Sequence, residues 1–267
     1  MKKFFAAICA TALLISGCGG DEVKIGTIKY MNVSEDTLNK VYGQKSNPWH
    51  DPSKREYLFF DNMTTMLAAL EAGQIAELST YETVAEYICA ENQNLEFKAT
   101  EPELVDMFCC ALRDNDDTLK ANFDAAITQM KMDGTFTYLV KEYISDINHA
   151  EAPPVVHFPT FYDADTIKIG VTGDLPRMDY VRSDGVPAGF NTAVLAEISK
   201  RVEKNFVLVQ VDSGARAAAL ASGEVDVIFW AAVPDGNDLP ADLDRPEGMN
   251  LTAPYFSDTI VHVRRKK

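Results

Sequence analysis

Residues 166–172 alternate apolar side chains with polar or small ones, the period of a strand. Gly173-Asp174-Leu175-Pro176 breaks that pattern, and Ser183-Asp184-Gly185 marks a turn. Asn191 then stands where it can cap a helix whose Val194, Leu195, Ile198 and Val202 share a face. The earlier half has the same rhythm. Residues 23–29 predict a strand, and Asn32 or Ser34 can cap a short helix over 34–42. Residues 43–56, with Pro48 and Pro52, read as an exposed excursion, and 58–60 as a strand. Asp61 or Asn62 caps a helix with Met63, Met66, Leu67 and Leu70 on one stripe, a core face rather than a cofactor box.

Gly73 closes that helix and 75–78 return as a strand; Ser79 and Glu82 have the spacing of a capping box for a helix over 82–91. Strands follow at 95–97 and 107–112. A helix over 116–131 carries Leu119, Phe123, Ile127 and Met130, Gly134 ends it, and another covers 136–145. After Trp230 the pattern dissolves into an irregular acidic loop over 234–248. Residues 259–263 form the last strand, and Arg264 to Lys267 read as a solvated tail. Strands alternating with helices indicate α/β architecture. An internal echo, Leu67-Ala-Ala-Leu70-Glu-Ala-Gly73 against Ala217-Ala-Ala-Leu220-Ala-Ser-Gly223, points to two lobes built on a similar unit.

The 267 residues suffice for two modest domains. Lys2 and Lys3, an apolar run from Phe4 to Ile15 and the small residues before Cys18 describe a secretory signal peptide over 1–17. Its end resembles the bacterial lipobox, which implies cleavage before Cys18 and lipidation of that cysteine, followed by a tether over 18–22. The net charge is −15, and losing the leader makes it two units more negative. That argues against nucleic acid as a partner. Cys89, Cys109 and Cys110 read as free thiols, and the four histidines have no ligand spacing, so no metal or cofactor is indicated.

The stretch Pro176-Arg-Met-Asp-Tyr180, then Gly185-Val-Pro-Ala-Gly189-Phe190-Asn191, Leu220-Ala-Ser-Gly223-Glu-Val-Asp226 and Thr252-Ala-Pro254-Tyr255-Phe256, resembles the first lobe of the bacterial extracellular solute-binding proteins of family 3, the amino-acid-binding type. Asp61 to Gly73, Thr83-Val-Ala-Glu-Tyr87 and Ala126-Ile-Thr-Gln-Met130-Lys-Met-Asp-Gly134-Thr135 resemble the second lobe of the same family. The resemblance implies a two-lobed, type II periplasmic-binding-protein-like α/β fold, each lobe a mostly parallel sheet flanked by helices. The lobes stand in circularly permuted order: 23–145 resembles the second lobe and 166–267 the first, with a proline-bearing connector over 146–165. Cutting the old crossing between Val263 and Val23 would leave one connector between the lobes, a looser hinge, or lobes exchanged between chains.

The family's ligand lies between the lobes. Carried over position by position, this gives Asp174, Arg177, Met178, Tyr180, Arg216 and Trp230 in the later lobe. In the earlier lobe it gives Tyr30, Asn32, Thr80 and Tyr81. Each has a plainer role open to it: Met178 and Tyr180 as packing, Asp174 as a turn cap, Asn32 as a helix cap, Trp230 as core, the arginines as surface. Two departures affect the ligand. The family's carboxylate-gripping Arg has no counterpart in Ala232 to Asp238, and the Asp that holds an ammonium group aligns with Tyr81.

The implied function is a lipid-anchored extracytoplasmic receptor that delivers a small polar, amino-acid-like solute to an ABC importer permease. A sensing or partner-binding module is the alternative, and a dehydratase-like enzyme on the same scaffold a third. No Ser-His-Asp or Cys-His pairing supports catalysis.

Overall fold

In the chain's first half the apolar periods become β1 (Val23–Ile28), α1 (Glu35–Tyr42), β2 (Arg55–Phe60), α2 (Met63–Glu71), β3 (Glu77–Tyr81), α3 (Glu82–Glu91) and β4 (Leu95–Ala99). Next come β5 (Val105–Arg113), α4 (Asp117–Met132) and α5 (Thr135–Val140), the last continued by one π-helical stretch, Lys141–Ser145. The second half gives β6 (Thr166–Val171), β7 (Asp174–Leu175), β8 (Asp179–Val181), β9 (Pro187–Ala188), α6 (Phe190–Val202) and β10 (Asn205–Gln210). It ends with α7 (Arg216–Ser222), β11 (Val227–Asp235), β12 (Met249–Leu251) and β13 (Phe256–Arg265). The structure is a computed structural model that describes residues 22–42, 49, 54–146, 154–182, 184–236 and 240–267. The leader, Cys18 and most of the 43–56 excursion lie outside those residues.

Two half-sheets share one path in the order β10-β6-β11-β5-β13-β3-β1-β2, with β12 on β5 and β4 on β13. β13 makes the join. Its first residues, Phe256 to Thr259, pair antiparallel with Phe108 to Val105 of β5, and Ile260 to Arg264 pair with β3. The single connector expected from the lobe order is therefore corrected: β5 and β13 both run between the lobes. The boundary along the chain and the boundary in space also differ, because α4 and α5 precede the connector yet pack on α6. Phe123 of α4 stacks on Phe206 of β10 at 5.7 Å, and Arg201 of α6 bridges to Asp133 at 2.8 Å.

The echo in sequence is an echo in packing. Gly26 of β1 faces Ile75, and Gly170 of β6 faces Val225 and Ile228. A Cβ at Gly26 would lie 2.7 Å from Ile75 Cδ1, and one at Gly170 would lie 2.8 Å from Ile228 Cδ1. In each lobe a strand glycine thus lets the residues after the helix press onto the sheet.

Helix starts differ in part from expectation. Asn62 caps α2, its Oδ1 accepting from the Thr65 N–H at 2.9 Å, and Ser34 Oγ accepts from Thr37 N–H at 3.2 Å. Ser79 lies inside β3, so the capping box does not form; the α3 N–H of Thr83 donates instead to Asp258 Oδ2 of β13 at 3.2 Å. Asn191 is inside α6, which begins after Gly189 with φ +97°. A side chain there would meet the carbonyl oxygens of Arg177 and Met178 below 3.0 Å, so only glycine fits. The tail is also shorter than expected, since Arg264 and Arg265 belong to β13 and Arg264 lies 3.3 Å over the Trp49 ring.

Candidate functional site

β11 runs antiparallel to β5, and the register skips between Phe229 and Ala231. Trp230 is the residue skipped, which takes its side chain out of the regular ladder. Its indole stands edge-on to Tyr81 at 5.9 Å and to Phe108 at 6.0 Å, and these two rings meet at 4.7 Å. The aromatic corner closes a small pocket of about 20 Å³, lined among others by Thr27, Tyr30, Thr80, Tyr81, Leu175 and Trp230. Both lobes contribute walls: Thr27, Tyr30, Thr80 and Tyr81 from the earlier one, Leu175 and Trp230 from the later.

Polar groups around this corner are only partly satisfied. The Tyr81 hydroxyl donates to Asp106 Oδ2 at 3.0 Å. Asp106 Oδ1, Trp230 Nε1 and Ser213 Oγ are buried with no partner. Burial pushes the Asp106 carboxyl up to about 7, the Tyr81 hydrogen bond opposing and the nearby Asp244 adding. Burial, with the charges of Asp106 and Asp244, also raises the phenols of Tyr30 and Tyr81.

Arg216 sits behind Trp230, its guanidinium 5.0 Å from the indole centre. It is buried and engaged on every side: Nε donates to Ser213 O (3.2 Å), Nη1 to Trp230 O (2.9 Å), and Nη2 to Lys29 O (2.8 Å) and Asp244 Oδ1 (3.3 Å). One side chain thus ties α7, β11, the loop after β1 and the acidic loop together.

The remaining sequence candidates spread outward. Tyr180 lines a wider groove of about 800 Å³ with Leu67, Tyr87, Pro176, Val181 and Gln210, where α2 and α3 face the β7–β8 hairpin. Asp174 pairs through its backbone with Tyr180 in that hairpin. Met178 is buried in the main core. Arg177 is fully buried with φ +70°; its three guanidinium nitrogens have no hydrogen-bond partner, and Glu86 of α3 is 3.9 Å away. Asn32 is exposed and holds the acidic loop: its N–H donates to Leu243 O at 2.8 Å and its Nδ2 to Asp242 O at 3.0 Å.

The sequence reading missed Asp106 and Asp244. Asp106 left a signal, a lone acid in the apolar run from Leu104 to Leu112, where an ionisable side chain is rarely buried without a role. Asp244 left none, being one of a cluster of acids in a loop. Among the described residues no group of three or more His, Cys, Asp or Glu is placed to hold a metal ion, and no helix is long and apolar enough to cross a membrane.

Residues 167–267 match the family model described as bacterial extracellular solute-binding proteins, family 3. No curated protein matches the chain in sequence. Among solved structures it is similar to the ligand-binding component of an ABC-type import system from Staphylococcus aureus with zinc bound, at 13% identity and TM-score 0.46, over 91% of this chain and 66% of that one. It is similar to the methionine-binding protein MetQ at 10% identity and TM-score 0.46, over 92% of this chain and 83% of that one. A third is the alkanesulfonate-binding protein SsuA from Xanthomonas axonopodis pv. citri bound to MOPS, at 13% identity and TM-score 0.41, over 91% and 65%. The chain thus spans just under two thirds of the S. aureus and Xanthomonas proteins, and likenesses this distant specify no ligand. The chain is a two-lobed α/β protein, and its residues 167–267, less than half of it, match the family of bacterial extracellular solute-binding proteins, family 3.

Proposed function

We propose that the protein is an extracytoplasmic receptor that closes its two lobes on a small polar solute and passes it to an ABC-type importer, with Cys18 lipidated as its membrane anchor. One observation carries the reading: a pocket walled by both lobes is lined by Trp230, whose buried Nε1 has no partner, and by Tyr81, whose hydroxyl holds Asp106 with the buried Oδ1 of that carboxyl also unpaired. Leaving such a group unpaired costs about 1–3 kcal/mol. A ligand that pairs both groups recovers that cost and joins the two lobes in one step.

The lobe order fits a circular permutation. In the sheet, Arg264 of β13 pairs with Glu77 of β3, and Glu77 pairs with Ile25 of β1. The start of the first strand and the end of the last therefore lie at the same end of neighbouring strands, two ladder steps or roughly 10 Å apart. Ends that close are where a chain tolerates being cut and rejoined.

The test is a thermal-shift screen of the purified protein against amino acids, small carboxylates, amines and dipeptides. A ligand that binds only the folded state raises the melting temperature with concentration. A saturable rise within one chemical class is expected. A folded protein with no rise anywhere in the panel would sink the receptor reading. Fatty-acid labelling of the wild-type chain in bacteria, lost in Cys18→Ser, checks the anchor.

A further inference from the structure

The carboxylate of Asp244 is fully buried at the meeting of the lobes, held as a protein would hold the acid group of a bound ligand. Oδ1 accepts from Met31 N–H at 2.7 Å and from Arg216 Nη2 at 3.3 Å, and Oδ2 accepts from Ala232 N–H at 2.9 Å. Two backbone amides and a guanidinium make a strong carboxylate cradle. The donors are drawn from both lobes, Met31 from the loop after β1 and the other two from α7 and β11. Arg216 has little spare capacity, because the Ser213, Trp230 and Lys29 carbonyls and Asp244 take four of its five N–H donors, leaving one on Nη1.

What is left beside the cradle is the small aromatic pocket with Asp106 next to it. The charges of both Asp106 and Asp244 reach the Tyr30 and Tyr81 phenols. Two buried carboxyl groups stand here against one guanidinium, and Asp106, raised by burial to about 7, takes up its charge when a cation arrives to pair with it. A further carboxylate entering here would be desolvated among like charges, whereas a cation would pair with Asp106. Aromatic walls also suit a cation. The space, about 20 Å³, admits little more than a water-sized group before the lobes part.

We propose that Asp244 is a tethered occupant of the acid half of the cleft, and that the remaining pocket selects a small amine or ammonium cation carrying no acid group. This rests on the solute-binding reading above and narrows its ligand. Asp106 pairs with the cation, and the Trp230 N–H takes an acceptor such as the hydroxyl of an amino alcohol.

Titration calorimetry with methylammonium, ethanolamine, glycine and acetate tests it on the purified protein. Saturable binding of the two amines and none of acetate or glycine is expected. Asp106→Asn should weaken the amines by about tenfold or more, since a charge-assisted bond is lost. Asp244→Ala should let acetate enter the vacated cradle. Acetate or glycine binding the wild type more tightly than the amines overturns the inference while leaving the solute reading intact. Unchanged amine affinity in Asp106→Asn also overturns it. If Asp244→Ala does not fold, the wild-type preference and Asp106→Asn still decide. If none of the four binds while another solute in the wider screen does, the inference falls alone; if nothing binds, both fall.

Discussion

The Tyr81 phenol donates to Asp106 Oδ2 at 3.0 Å within a buried aromatic corner, yet the other carboxylate oxygen is left unpaired. Burial, only partly offset by that bond, raises the folded-state Asp106 to about 7. A carboxyl whose folded value exceeds its unfolded value contributes stability that is full below about pH 4 and is lost as pH rises through about 7. Asp258, raised by burial to about 6, acts in the same direction. His262 acts oppositely: burial lowers it, so its contribution is full above about pH 6.5 and fades as pH falls.

Asp106→Asn isolates the first contribution. It should stabilise the protein at pH 8 by on the order of 2–4 kcal/mol, with the gain shrinking to near zero by pH 4. Urea unfolding of both proteins across that range checks it. A gain that does not vary with pH would mean that Asp106 is not the titrating group.

Arg216 and Asp244 form a buried pair whose value shows when one partner is removed. Arg216→Met leaves the Asp244 carboxylate buried with two backbone donors and no cation. Removal of one member of such a pair costs about 3–5 kcal/mol. The double variant Arg216→Met with Asp244→Asn should recover at least about 1 kcal/mol of that loss, because the uncompensated charge goes with it. Strictly additive free energies in urea unfolding would show that the two do not act together.

Strand glycines in the two lobes offer a matched test. Gly26→Ala forces its Cβ against Ile75 Cδ1 and Met66 Cγ, and Gly170→Ala against Ile228 Cδ1. Each overpacking should cost about 1–3 kcal/mol. Since Cδ1 is the obstacle, Ile75→Val should partly rescue the first and Ile228→Val the second. Gly189→Ala has no such rescue, because there the obstacles are backbone oxygens and φ is +97°. Thermal unfolding of the five variants decides, and a rescue of Gly189→Ala by any side-chain trimming would contradict the account.

Elements built from local pattern were legible in the sequence. The stripe Phe123, Ile127, Met130 is buried in α4, and the alternation at 166–172 became β6. Helix starts were less so, because Thr83 is capped by Asp258, a residue 175 positions away, and no local signature encodes that. The crossing of β5 and β13 was illegible for the same reason: pairing of Phe108 with Phe256 joins segments that the pattern reads separately. Of the candidate site, Tyr30, Thr80, Tyr81 and Trp230 do come together around one pocket. Asp244 was hidden because its neighbours are also acids, and only tertiary contact with Arg216 and Met31 distinguishes it.

Arg177 separates a ligand-gripping role from a structural one. Its guanidinium is buried, its nitrogens make no hydrogen bonds, Glu86 lies 3.9 Å away, and burial lowers its basicity. A charge held that way is a liability in the closed protein, since desolvation outweighs an attraction at that distance. Replacement by an apolar chain of similar length removes the liability, while the main-chain oxygen that accepts from Phe190 N–H at 2.6 Å is kept. Arg177→Met should therefore leave stability unchanged or raise it by about 1–2 kcal/mol. Amine affinity should also be unchanged, because Arg177 does not line the small pocket. Urea unfolding and calorimetry on the same preparation read the two effects separately. A large loss of affinity at preserved stability would place the ligand against Arg177, in the wider groove beside Tyr180, rather than beside Asp106.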